Sequence, residues 1–294
     1  MGMMQVPQPF GSVIFLLDET EPGCIQALER ATGWLHKWLA WFLRRNGVLD
    51  GRNLHLLYDR SVSVLGPGAL RHPEEIAALA AVAAAHGATF GCELHLADCV
   101  TLEGTYREML EGGRLKSILF NPLGWPADAE PEAGLAVVEA AARSGAALIL
   151  LGSPGFWERL GVLQSPIVNG ANFRIVPGHQ PWYDDAAASP HLTRSAAVSS
   201  PCETRFAVYV TPAGDVYPCL GLVGQPRWRM GTVDEDPEQS GFVAAPTLRF
   251  LQAWADRGPD LGGDAPAPDA AHLPLVCAVH RRQMEETGHG SHPG

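Results

Sequence analysis

The sequence predicts an α/β fold: an open or partial (β/α)6 TIM-like barrel followed by a small cysteine-bearing domain built on a β-hairpin. Three observations lead there. From residue 11 to about 177, short apolar runs alternate with amphipathic helical segments. From Gly178 to Pro201 the composition shifts to Pro, Ser, Ala and Asp, as in a linker. Beyond it, Cys202 and Cys219 bracket a hairpin pattern. The expected division is therefore 1–177, 178–201 and 202–294.

The elements follow in order. Ser12-Val-Ile-Phe-Leu-Leu17 reads as a buried strand between Gly11 and Asp18-Glu19. Residues 23–45 read as a helix, because Leu28, Ala31, Leu35, Trp38, Leu39 and Phe42 recur at three- and four-residue spacing. Asn46-Gly47 stops it. Residues 53–58 form the next apolar run, read as a strand. His72-Pro73-Glu74-Glu75 opens a helix with Pro and acids in its first turn, and it runs to His86-Gly87. Strands then follow at 89–96, 115–120, 146–151 and 173–176, with helical segments at 105–111, 131–144 and 156–160. Six strands alternating with helices imply parallel pairing through crossovers. An eight-fold barrel needs two more units than the chain shows.

Past the linker, Arg205-Phe-Ala-Val-Tyr-Val210 alternates as a strand. Thr211-Pro-Ala-Gly214 is a turn, and Asp215 to Cys219 returns. Helices are expected at 247–256 and 277–286, separated by a Gly/Pro/Asp loop at 261–271.

Composition bounds the partners. The 21 basic and 32 acidic residues give a formal charge of −11, against nucleic acid or an anionic membrane as main partner. Hydrophobic residues make up 46%, enough for a sizeable core. Residues 1–9 are polar, without the basic start of a secretory signal, and the apolar runs are too short to span a bilayer. A cytoplasmic protein is expected, whose six cysteines serve as thiols or metal ligands rather than disulfides. His289 and His292, in the polar tail, read as solvated.

Cys202, Cys219, Cys277 and His280 are the candidate metal ligands. A thiolate site needs ligands fixed by rigid turns. Gly214 tolerates positive φ at the turn, and Pro218 fixes the backbone before Cys219. Cys277 and His280 lie one helical turn apart. Three Cys and one His suit either an iron–sulfur cluster or zinc. The alternative is three buried free thiols.

Cys202-x11-Gly214-x4-Cys219, with Asp-Val-Tyr-Pro between Gly214 and Cys219, resembles the opening of the SPASM domain of radical SAM peptide-modifying enzymes. Gly231-Thr-Val233 resembles the glycine-led strand that often follows, and Cys277-Ala-Val-His280 sits where that family begins a Cys-x2-Cys run. The six β/α units resemble the radical SAM partial barrel. The resemblance implies a SPASM/twitch-like C-terminal domain with one [4Fe-4S] cluster at Cys202, Cys219 and Cys277, zinc being the alternative. The family's Cys-x3-Cys-x2-Cys is missing. The loop in its place is Asp18-Glu-Thr-Glu-Pro-Gly-Cys24, whose one cysteine cannot hold a three-thiolate cluster and whose hard carboxylates are poor substitutes. S-adenosylmethionine and radical catalysis by this chain are therefore not expected. Degenerate relatives of this kind resemble companions of an active radical SAM maturase, so the implied partners are that maturase and its ribosomally made precursor peptide.

Other constellations are weaker. Cys92 and Cys99 flank Glu93-Leu-His95-Leu-Ala-Asp98. Alternation places Cys92, Leu94 and Leu96 on one face, Glu93 and His95 on the other. A His/Asp/Glu site at a strand's C-terminal end is one reading. The preferred one is two buried thiols beside an ordinary polar face. Asp18 and Glu19, with Asp59, Asn121 and His179, are candidates for a polar pocket at the barrel mouth. Gly152-Ser-Pro-Gly155 lacks the spacing of a nucleophile or phosphate loop and reads as a βα turn. Trp34, Trp38 and Trp41 share a helix face, read as core in preference to a docking edge. Beside the accessory function stand two alternatives: an enzyme of another class using Asp18, Glu19 and Glu93, and an electron-transfer iron–sulfur module.

Overall fold

The computed structural model describes residues 12–46, 60–176, 207–217, 223, 224, 226 and 229–237. Among the described residues nine strands form one sheet in the order β6-β5-β4-β3-β2-β1-β7-β8-β9. They are β1 (Ser12–Leu16), β2 (Ser61–Leu65), β3 (Thr89–His95), β4 (Ser117–Asn121), β5 (Ala147–Leu151), β6 (Phe173–Val176), β7 (Ala207–Val210), β8 (Asp215–Tyr217) and β9 (Gly231–Thr232). All pairings from β6 through β1 to β7 are parallel, and β7-β8-β9 is antiparallel. Each of the first six strands lies beside its predecessor in the chain. The helices are α1 (Cys24–Asn46), α2 (Pro73–Ala85), α3 (Leu96–Thr101), α4 (Glu103–Glu111), α5 (Pro131–Arg143), α6 (Pro154–Arg159) and α7 (Pro166–Asn169). The protein is an α/β fold with a mostly parallel sheet.

Alternation along the strands sorts the sheet into unlike faces. Val13, Phe15, Val62, Val64, Phe90, Cys92, Ile118, Phe120, Leu148 and Leu150 form one core with Leu35 and Leu39 of α1, Leu79 of α2 and Val138 of α5. The opposite face carries Ser12, Ile14, Ser61, Ser63, Ser117, Leu119, Ala147 and Ile149, all half-buried. Serines concentrate there, beside a small apolar cluster of Ile14, Leu16, Leu65, Ala207 and Tyr209. Gly91 lets β3 and β4 close up on that side: a Cβ there would stand 2.2 Å from Ser117 Oγ.

Most elements match the sequence periodicity; β2 is a strand that the periodicity does not mark, and the segment after β3 differs in place. The strand read at 53–58 lies outside the described residues, and β2 is Ser61-Val-Ser-Val-Leu65. Its serines fall on the half-buried face, which weakens the apolar signal while keeping the alternation. The segment after β3 bends at once into α3, and α4 starts at Glu103 rather than Thr105. The residues 247–256, 261–271 and 277–286 lie outside the described residues.

α1 buries Trp34, Trp38 and Trp41 at 2%, 0% and 6% exposure, with Trp34 and Trp38 stacked at 5.2 Å between centroids. The stripe is core, as periodicity suggests. Among the described residues no helix is long and apolar enough to cross a membrane.

The hairpin joins the main sheet directly: β7 pairs with β1 in parallel, Ser12 opposite Ala207 and Phe15 opposite Val210. Thr211 N donates to Asp215 O and Gly214 N donates to Thr211 O, both at 2.8 Å. Gly214 takes φ 88°, and a Cβ there would lie 2.9 Å from Val233 Cγ2. α1 reaches over to this end, where Arg30 Nε donates to Asp234 Oδ1 at 2.8 Å.

Candidate functional site

The C-terminal ends of β1 to β4 gather the polar side chains of interest. β3 turns Glu93 away from the helix-covered core, as alternation predicts, yet Glu93 is only 1% exposed. Its Oε1 accepts from Asn121 Nδ2 at 2.6 Å and its Oε2 from Gly66 N at 3.0 Å. His95 Nε2 lies 3.5 Å from Oε1, an ion-pair rather than a hydrogen-bond distance. Asn121 Oδ1 in turn accepts from Leu123 N at 2.9 Å. One carboxylate thus ties the ends of β2, β3 and β4 together. The expectation of an ordinary polar face is corrected here, because a buried carboxylate must have its lone pairs met, and these are.

Gly66-Pro67-Gly68 threads between Glu93 and the loop after β1. Gly66 takes φ 129°, and a Cβ there would lie 2.0 Å from Leu17 O. Gly68 takes φ 93°, and its Cβ would lie 2.3 Å from Glu19 Cδ. Only glycine serves at Gly66, since the obstacle is backbone. Glu19 is held by Arg71 Nη1 and by His72 Nε2, the latter at 2.7 Å from Oε1. Arg71 Nη2 also donates to Asp98 Oδ1 at 3.0 Å. Those two carboxylates raise Arg71 above its ordinary value, against burial, the largest single influence.

The candidate pocket residues are thus divided. Glu19 and Asp98 meet through Arg71, while Asn121 belongs with Glu93. Asp18 stays local, its Oδ1 accepting from Thr20 N at 3.0 Å and Thr20 Oγ1 at 2.7 Å. Asp59 and His179 lie outside the described residues. The sequence signal for the Gly66 approach is the Gly-Pro-Gly run directly after the Ser-Val-Ser-Val-Leu alternation, while Arg71 and His72 carry no local signal of a site. Chemically, the set offers a buried carboxylate beside an imidazole of 9% exposure, rimmed by an Arg–carboxylate network at the sheet edge.

The thiols separate by position. Cys92 and Cys99 are fully buried, as read, and burial first, then neighbouring acids, pushes both thiols up. Cys24 opens α1 at 4% exposure, raised mainly by burial and also by Asp18, Glu19 and Glu21. These are protonated thiols, unsuited to ligate metal without deprotonation. Among the described residues no group of three or more His, Cys, Asp or Glu side chains is placed to hold a metal ion. Cys202, Cys219, Cys277 and His280 lie outside the described residues, as do His289 and His292. Gly152-Ser-Pro-Gly155 is a βα turn, with Ser153 Oγ accepting from Phe156 N at 3.3 Å as N-cap of α6.

No protein-family model and no curated protein matches the chain.

Proposed function

We propose that this chain is a non-catalytic accessory protein of a radical SAM maturation system, holding one [4Fe-4S] cluster and assisting a maturase that modifies a ribosomally made peptide. The proposed architecture is a partial (β/α)6 barrel on β1 to β6, with residues 202–294 as a SPASM/twitch-like region after a 178–201 linker. The observation that carries the reading is the β7-β8-β9 unit. Its turn glycine, Gly214, has the positive φ the motif requires, and its return strand ends two residues before Cys219. β8 is paired on both sides, by β7 and β9, so the chain enters the Cys219 segment from a fixed strand.

The donor set fits a thiolate-bound group. Cys202, Cys219 and Cys277 would supply sulfur and His280 nitrogen, a set that suits iron–sulfur and also zinc. A bound cluster would supply structural cross-linking or a one-electron relay to the partner. The loop after β1 does not fit a second, radical-forming cluster: Cys24 is its single cysteine, buried as a raised thiol beside Asp18, Glu19 and Glu21. S-adenosylmethionine binding is accordingly not part of the proposal.

The test is co-purification of the tagged chain, made anaerobically, with a radical SAM maturase and its precursor peptide. The expected result is a complex weakened by Cys219→Ser. Calorimetric binding of S-adenosylmethionine by the chain alone would contradict it. A cluster that cycles reversibly without partner binding would favour electron transfer.

A second reading rests on Glu93. A carboxylate 1% exposed, with His95 beside it at a sheet's C-terminal edge, is an arrangement suited to acid–base chemistry. It would make the chain an enzyme of another class acting at the barrel mouth. The same carboxylate also has a complete structural role, which is why the accessory reading ranks first.

A further inference from the structure

We infer that His36 and His86 form a two-imidazole site for a divalent transition-metal ion of the nickel or copper type, stapling α1 to the end of α2. His36 lies in the exposed part of α1, and His86 is the C-cap of α2. His36 Nδ1 and His86 Nε2 are 2.9 Å apart. Metal–imidazole bonds run about 2.0–2.1 Å, so two of them at a right angle set their nitrogens about 2.9 Å apart, the spacing of neighbouring ligands in tetragonal coordination.

The rings do not meet end to end. Their centroids are 4.7 Å apart and their planes cross at 61°, closer than two rings joined in line across that nitrogen gap would stand. At least one ring is therefore turned off the line joining the two nitrogens, and a small rotation about its side-chain bonds aims both nitrogens at an ion beside that line. A metal ion there replaces the single proton that the pair otherwise shares. Water completes the coordination sphere, since His36 is open to solvent.

The neighbouring charges set the strength. Arg60 Nη1 donates to His86 O at 2.8 Å and opposes a cation. Lys37, next in the chain, pairs with Asp236 at 3.8 Å. The overall charge of −11 favours cation approach. Imidazole donors suit nickel, copper and zinc, and the right-angle spacing selects the first two over tetrahedral zinc.

The test uses the full chain carrying Cys219→Ser, which removes a proposed cluster ligand, and Ni2+ alone as titrant. Calorimetry is expected to show one Ni2+ fewer, or its affinity weakened at least about tenfold, in His36→Gln, since a chelate that loses one arm loses its effective-concentration advantage. Arg60→Met should bind more tightly. His36 is exposed, so His36→Gln should keep the parent's circular dichroism and metal-free melting temperature. It carries the test even if His86→Gln fails to fold. The Cu2+ form should show hyperfine coupling to two imidazole nitrogens by electron paramagnetic resonance. Ni2+ stoichiometry and affinity untouched by His36→Gln, or coupling to fewer than two imidazoles, overturns the inference.

Discussion

Replacing Glu93 by Ala would strand Gly66 N–H and Asn121 Nδ2 in a buried place without their acceptor. Two orphaned donors cost about 3 kcal/mol or more, and urea denaturation should show that loss. Glu93→Gln, though isosteric, should also destabilise, because its amide turns a donor toward one of those two donors. Gly66→Ala should be worse still, since its Cβ meets the Leu17 carbonyl and its φ is unsuited to an L side chain. A Glu93→Gln protein as stable as the parent would remove the structural role and favour the acid–base reading. The thiols give a pH signature. Burial holds Cys92 and Cys99 protonated in the fold, while the unfolded chain ionises near pH 8.5. The folded values are raised, so stability present below pH 8.5 is lost as the pH rises above it. The urea midpoint should fall between pH 7.5 and 10, and less so in Cys99→Ala. Alkylation of the native protein at pH 8 should spare Cys24, Cys92 and Cys99 and reach them on unfolding.

At the scale of elements, the hairpin bears the functional proposal and is also where the sequence was most legible. Gly214 could be placed in advance because Thr-Pro-Ala-Gly between two alternating runs leaves one position for positive φ, and it is found at 88°. The sixth strand, the βα turn at Gly152 and the tryptophan face of α1 were legible for the same reason: local pattern and tertiary environment agree there. β2 was not, because its serines belong to a half-buried face and dilute the apolar run. Nor was the Glu93–Asn121–Gly66 contact, which joins residues 27 and 28 positions apart and leaves no local periodicity. Gly214→Ala should loosen the hairpin by pressing on Val233. The account predicts that its bound metal falls with it, measured as metal per chain in folded protein. Unchanged metal content would detach the site from the hairpin.

For the whole molecule, the parallel sheet from β6 to β1 continues through β7 into the hairpin, so the proposed cluster region and the proposed barrel share one sheet. That continuity gives the region a rigid base, through Ser12 to Phe15 on one side and the Arg30–Asp234 pair from α1 on the other. The exposed ion pair adds little energy. The backbone ladder is the stronger link between the hairpin and the parallel strands. The most direct measurement of the proposed thiolate site is the iron, sulfide and zinc content of the full chain purified without oxygen, beside its Cys219→Ser variant. The account predicts one [4Fe-4S] cluster per chain, or one zinc ion in its place, with most of that metal lost in the variant. A well-folded chain with neither iron nor zinc, or a variant that keeps its full complement, would contradict it.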